Sequence, residues 1–433
     1  MKAAARKIFD HTLAAIDIPA ALDRTLDKRG SLISYAGSDL DLRGFSEIVA
    51  IAFGKASFGM AAALSDILSP DFSIDGIVVG PDSQKRSIPG WSAYSGSHPI
   101  PSATSFEAGR AILDRLARCA EKSLVIFLIS GGGSAMVELP LDPKITLDDF
   151  QKLHSALVTC GAPIEEINVV RKHLSATKGG RLAAAAPRAT KLTLAISDVP
   201  QGHDSALASG PTLPDPTTVA DAESIATRYS LLPKLPNAIR SLFETHSLQE
   251  TPKHNHPAFV RAKFERILGE HELMHAAHHC SEGDGFHCWV DQTTDGWPLE
   301  KTADHLLALL AKLKEDNPGK NVALFAGGEL SSPVTGDGVG GRNSAFVLTC
   351  VPKIAGKGVT VLSVGTDGID GNSPAAGAIA DGETLSRARA VNLDPEDFLG
   401  RSDSHTFFAR LNDAIVTGPT GNNLRDLRIL IAE

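Results

Sequence analysis

The chain has 433 residues, 42% of them hydrophobic, with a formal net charge of −9. That length sets two domains as the prior, and the acidic balance argues against a nucleic-acid binder, which would carry a basic stripe. Five scattered cysteines, no signal-peptide core near Met1 and no membrane-length apolar run lead us to expect a cytoplasmic protein with reduced thiols.

Along the chain, residues 1–45 begin with Ile8, Leu13, Ile16, Leu22 and Leu26 at helical spacing and then turn loop-rich. An apolar strand-like run at 48–53 ends in Gly54-Lys55, another at 124–129 ends in Ser130-Gly131-Gly132-Gly133-Ser134, and a third at 192–196 ends in Ser197-Asp198. Helical stretches are predicted at 56–69, 103–120, 146–160 and 178–187. Such alternation is the signature of βαβ units. Prolines interrupt 213–217 and 233–236, and the polar stretch 244–258 reads as part of a domain boundary. A second block follows, with a helix near 271–281, a strand near 286–290 and a helix at 299–315. Three more strand-like runs close the chain. Residues 322–325 lead toward Gly327-Gly328-Glu329, 359–364 into Gly365-Thr366-Asp367-Gly368, and 414–416 into Thr417-Gly418-Pro419-Thr420-Gly421.

Together these elements predict an α/β protein of two three-layer domains with largely parallel sheets. The expected domains are 1–240, Rossmann-like, and 241–433, whose last segment could pack back toward the first. Ligands of open α/β sheets bind beyond the carboxyl ends of the strands. For a two-domain protein of this kind the active site is expected in the cleft between the domains. The six strand ends carry glycine or small polar residues, and the glycines at five of them free backbone N–H groups to approach an anion, often a phosphate.

Phosphoryl transfer needs positioned phosphates, a metal and cations more than covalent chemistry. No Walker A pattern occurs, which leaves Gly131, Gly132, Gly133 and Ser134 as the best phosphate loop. Lys55 opens a helix, where a cation opposes the dipole, and that cost favours a functional role over a structural one. Arg342, in Gly340-Gly341-Arg342-Asn343, can bring a guanidinium to a transferring phosphoryl group. Asp198, Glu329 and Asp367 stand at strand ends as candidate Mg²⁺ ligands, with Asp370 in the same pool. The basic run 171–181 holds Arg171, Lys172, His173, Lys178 and Arg181, of which Lys172 and Lys178 are the candidates for a substrate carboxylate.

Nine segments resemble the class II glycerate kinases, ATP-dependent glycerate 2-kinases formerly named hydroxypyruvate reductases and carrying a MOFRL-type C-terminal domain. They include AFGKASFGMA (52–61), SGGGSA (130–135), KHLSATKGGRLA (172–183), SDVPQGHDSALASGPT (197–212), GGRNSAF (340–346), GTDGIDGNSPAAGA (365–378) and TGPTGNNLRDL (417–427). The resemblance implies transfer of the γ-phosphoryl of ATP to the 2-hydroxyl of D-glycerate with Mg²⁺, and catalytic roles for Lys55 and Arg342. It implies small-molecule partners without nucleic acid or membrane, and is compatible with a homodimer. Ser344-Ala345, Ser373-Pro374, Ser402-Asp403-Ser404 and Pro200-Gln201-Gly202-His203 depart from the family pattern, which leaves the preferred hydroxy acid open.

Two other activities compete. A nicotinamide-dependent reductase of hydroxypyruvate-like acids would need a strand leading into GxGxxG followed by an acidic residue about 20 positions later, and no strand-like run here does so. His271-Glu272-Leu273-Met274-His275 reads HExxH, the helical motif of zinc peptidases, within a histidine-rich stretch that raises the odds of a chance match.

Overall fold

The computed structural model describes every residue except Ala36 and Gln201, so the Pro200-to-His203 departure falls partly outside the described residues. Two units are present, one formed by Ile18–Ile267 and the other by Met1–Asp17 with Leu268–Glu433.

The first unit is built on strands β1 (Glu47–Phe53), β2 (Asp75–Gly80), β3 (Trp91–Ser95), β4 (Ser123–Ser130), β5 (Thr190–Ile196) and β6 (Ala262–Leu268). Their order in the sheet is β3-β2-β1-β4-β5-β6. Every pairing from β3 to β5 is parallel. This is the doubly wound Rossmann order, with its reversal of direction between β1 and β4. All eight residues of β4 are buried, as a strand covered on both faces requires. Helices Ser57–Leu68, Ala103–Leu116 and Leu147–Val158 lie within the predicted stretches. Thr146 accepts from Asp149 N and the Asp149 carboxylate returns the bond, a capping box that starts the third of them. An additional helix, Ile164–Leu174, was not predicted.

In the second unit, β7 (His287–Asp291), β8 (Val322–Ala326), β9 (Val359–Gly365), β10 (Gly377–Asp381), β11 (Ala414–Ile415) and β12 (Asp426–Ala432) stand in the order β7-β8-β12-β9-β10-β11. Only β7 and β8 pair in parallel, and the four remaining ladders are antiparallel. The expectation of a largely parallel sheet is therefore corrected for this unit. The last segment is part of the second unit's own sheet. Its β12, buried along its whole length, is inserted between β8 and β9 and makes the sheet mixed.

The division at 240/241 also moves. β6 still belongs to the first sheet, with Lys191 N donating to Arg261 O at 2.8 Å just before it. At the other end, helix Lys2–Ala15 packs on helix Glu270–Gly283 and on β9. Lys2 Nζ lies 2.7 Å from Asp413 Oδ2, Lys7 Nζ 2.5 Å from Asp284 Oδ1, and Asn422 Nδ2 donates to Ile16 O at 3.2 Å. Among the described residues no helix is long and apolar enough to cross a membrane.

At the reversal point Gly54 has φ +115°, and a Cβ there would overlap the carbonyl and hydroxyl oxygens of Ser130 at the end of β4. Left-handed backbone and backbone-to-backbone contact both demand glycine. We predict that Gly54→Ala costs about 1–3 kcal/mol of stability, from the strain and overlap together. Chemical denaturation followed by circular dichroism checks it, and an unchanged midpoint is the contrary result.

Candidate active site

The carboxyl ends of β1 and β4 meet at the switch point. Lys55 N donates to Gly131 O at 2.9 Å, and Ala56 N donates to Ser130 Oγ at 3.0 Å, so the two loops are fastened to one another. Gly132 is left-handed, with φ 79° and ψ −10°. A Cβ there would lie 3.3 Å from Lys55 Cγ and 3.4 Å from His98 Cδ2. The glycine thus leaves a gap between a lysine stem and an imidazole, of the kind that lets a backbone approach a phosphate. Gly133 is glycine for another reason, since its Cβ would press on Phe53 and Ala208.

Behind this loop lies a cavity of about 220 Å³, whose polar walls include His98, Ser134, Glu138, His154, Asn168, Arg171, Lys178 and Asp198. Helix Ile164–Leu174 turns Ile164, Asn168 and Arg171 toward it, the i, i+4, i+7 set of one helix face. Helix Leu147–Val158 contributes Phe150, Leu153 and His154 by the same rule. Ser134 Oγ is 3.0 Å from Ser209 Oγ, which donates onward to Asn168 Oδ1 at 3.2 Å. Ala208 and Ser209 both adopt positive φ, 48° and 62°. Strain of this kind in non-glycine residues persists only where the surroundings hold it, commonly at ligand sites.

Lys178 is fully buried, with Nζ 2.7 Å from Glu138 Oε2 and donating to Ser134 O at 2.7 Å. Burial pulls its pKa down and the Glu138 carboxylate opposes that. Of the two predicted substrate lysines, this one lines the cavity. Lys172 does not. It is one residue round the helix from Arg171 and forms a buried pair with Asp215 at 3.2 Å.

Arg342 opens helix Arg342–Ile354 in the second unit. Its Nε and Nη2 donate to the buried Asp426 at 2.6 and 3.0 Å, and Nη2 lies 3.0 Å from Glu329 Oε1. These carboxylates push its pKa up against its burial. The guanidinium lies at a cavity of about 430 Å³ with Gly340, Gly341, Asn372 and Ser404. Asp370 is committed to the backbone there, accepting from Asn343 N and Ser344 N, each at 2.9 Å. It caps the helix start. Of the other strand-end carboxylates, Asp198 lines the first cavity, Glu329 pairs with Arg342, and Asp367 Oδ1 accepts from Ile369 N at 3.1 Å.

The HExxH segment lies on helix Glu270–Gly283. His271, His275 and His279 stack in a row with ring centroids 6.5 and 6.3 Å apart. Among the described residues no group of three or more His, Cys, Asp or Glu side chains converges as a metal site would.

Sequence reasoning missed His98, His154, Asn168, Glu138 and Asp426. A helical reading of 164–174 would have separated Arg171 from Lys172, because only one of two adjacent residues can share a face with Ile164 and Asn168. His98, His154 and Glu138 lie in no quoted motif, and Asp426 falls in the 417–427 segment with no local signal of its pairing with Arg342.

Residues 4–244 match the model of a domain of unknown function, DUF4147, and residues 322–426 match the MOFRL family. A D-glycerate 2-kinase of Thermotoga maritima is 34% identical over 385 residues, covering 88% of this chain and 90% of its own. A glycerate 2-kinase of Pyrococcus horikoshii is 32% identical, covering 98% and 96%. The crystal structure of a Thermotoga maritima glycerate kinase superposes with a TM-score of 0.87 at 32% identity, over 100% of this chain and 99% of that one. The chain belongs to the class II glycerate kinase family. An Agrobacterium vitis protein that carries a hydroxypyruvate reductase name is also similar, 36% identical over 98% of this chain and 93% of its own. Within the class II glycerate kinases, then, the HExxH of this chain occurs on a helix of a kinase-family fold, and the zinc-peptidase reading has no support from any relative named here.

His154 gives the site a pH signature. Burial, then the nearby Arg171, His98 and Lys178, lower its pKa from 6.5 to about 4. The unfolded chain therefore binds this proton at a pH where the folded chain does not, and stability falls as pH drops from about 6.5 toward 4. We predict that His154→Asn flattens the fall of Tm across this window. Thermal unfolding at half-unit pH steps checks it, and parallel curves for the two proteins would contradict it.

Proposed function

We propose that the protein transfers the γ-phosphoryl of ATP to the 2-hydroxyl of D-glycerate, giving 2-phosphoglycerate. The observation that carries this reading is the switch-point site of the Rossmann sheet, where Gly132 leaves a gap beside Lys55 ahead of a polar cavity that holds Arg171 and Lys178, in a chain whose relatives include named glycerate 2-kinases. In this reading the 130–134 loop offers backbone N–H groups to the ATP phosphates, and the Lys55 ammonium offsets their charge as a point cation. Arg342, held rigid by Asp426, supplies a second cation to the same transfer.

Magnesium fits the donors present, because it takes few protein ligands and completes its shell with phosphate oxygens and water. Asp198 at the cavity is the carboxylate best placed to hold it, with Glu329 and Asp367 as the further candidates. When bound, the ion neutralises charge on the phosphates. The protein's own part is then to hold the acceptor hydroxyl in line and keep water out.

Incubation with ATP·Mg²⁺ and D-glycerate is expected to release ADP and yield the 2-isomer by phosphorus NMR. Appearance of 3-phosphoglycerate, or NAD(P)H oxidation with hydroxypyruvate and no ADP release, would overturn the reading. Cations that act mainly in the transition state lower kcat more than they raise KM when removed. Lys55→Ala and Arg342→Ala should each cost roughly 10²- to 10⁴-fold in kcat. The double variant should lose much less than the product of the two losses. A folded single variant with kcat within threefold of the parent would count against the role of that residue.

A further inference from the structure

We propose that Arg171, held in place by His154, is the anchor for the carboxylate of a small 2-hydroxy acid in the cavity behind the 130–134 loop. This rests on the kinase reading for its substrate, but the argument comes from the cavity itself. Arg171 is in the last turn of helix Ile164–Leu174 and lines the cavity together with Asn168 of the same face. Its Nη2 lies 2.8 Å from His154 Nδ1.

A guanidinium has donors only, so His154 Nδ1 must be the acceptor and the ring uncharged. The hydrogen bond therefore orients the guanidinium without neutralising it. Elsewhere in this region each buried lysine has a carboxylate of its own. Lys178 has Glu138 at 2.7 Å and Lys172 has Asp215 at 3.2 Å. For Arg171 the opposing carboxylate is Glu138, which Lys178 already engages. A largely buried cation with an uncharged partner calls for an anion from outside, and the planar fork suits a carboxylate bound through two oxygens.

The rest of the cavity defines the class of acid. Phe150, Leu153, Ile164 and Pro99 form apolar wall, and about 220 Å³ suits a small molecule. The 2-hydroxyl and the chain of the acid would then face Ser134 and Asn168, whose polar atoms are joined through Ser209. His154 acts through Arg171 and is a positioning residue.

Calorimetry and steady-state kinetics with D-glycerate and with its uncharged amide, D-glyceramide, test the inference. The parent protein is expected to bind D-glyceramide at least roughly 30-fold more weakly than D-glycerate, the scale of a lost charge-assisted pair. Arg171→Gln should raise the KM and the dissociation constant for D-glycerate by a similar factor, with the KM for ATP changed by less than threefold. It should also abolish the preference for acid over amide, and Arg171→Lys should restore part of it. His154→Leu should raise the KM for D-glycerate and leave the KM for ATP in place.

Equal binding of acid and amide by the parent overturns the inference whether or not any variant folds. So does a folded Arg171→Gln protein with unchanged affinity for D-glycerate, in which case ADP release by the parent still upholds the kinase reading. Binding of D-glycerate that depends on Arg171 but releases no ADP sinks the kinase reading and leaves the anchor standing. No binding of D-glycerate to the parent overturns both.

Discussion

Much of the first unit depends on one close approach, that of the Gly54 backbone to Ser130 at the end of β4. The two central parallel strands run side by side over their whole length, and no side chain fits between their ends. A residue with a Cβ would push the loops apart. With glycine they interlock, through Lys55 N to Gly131 O and Ala56 N to Ser130 Oγ. That lock brings the lysine stem against Gly132 and opens the gap at the front of the cavity. The topology supplies the place, since the chain leaves the sheet in opposite directions from these two strands.

Buried charge governs what that place can hold. Removing an ion from water costs several kcal/mol unless a partner offsets it. The Lys178–Glu138 and Lys172–Asp215 pairs satisfy this rule within the protein. In the second unit Arg342–Asp426 and Arg425 with Glu270 and Asp295 do the same, at 2.6, 3.0 and 2.5 Å. These pairs offset buried charge within the protein. Arg171, whose hydrogen-bond partner is an uncharged ring, departs from these pairs, as do Lys191 and Arg428, which donate to backbone carbonyls; of the three, only Arg171 lines the cavity behind the 130–134 loop.

The histidine helix shows why a local motif is weak without its surroundings. HExxH has the right spacing for two imidazoles on one face, and the structure does put His271, His275 and His279 in a stacked row. Zinc chemistry needs a third convergent ligand and a cleft. Spacing within one helix cannot supply either, whereas the glycine loops recur at strand ends throughout the chain.

The sequence by itself determined the α/β class, the strands that end in glycine and most of the helices, because burial periodicity and turn chemistry are local properties. It singled out Lys55, the glycine triplet and Arg342 for the same reason. Three things were decided only by tertiary structure. Strand order and direction depend on partners distant in the chain, so the insertion of β12 into a mixed sheet and the docking of Lys2–Ala15 on the second unit had no local signal. Adjacent basic residues diverge by about 100° on a helix, and only packing revealed that Arg171 meets the cavity while Lys172 meets Asp215. The carboxylates at strand ends look alike in sequence. Their roles as helix cap, ion-pair partner or cavity wall follow from which donors the fold happens to bring to each, as with Asp370, Glu329 and Asp198.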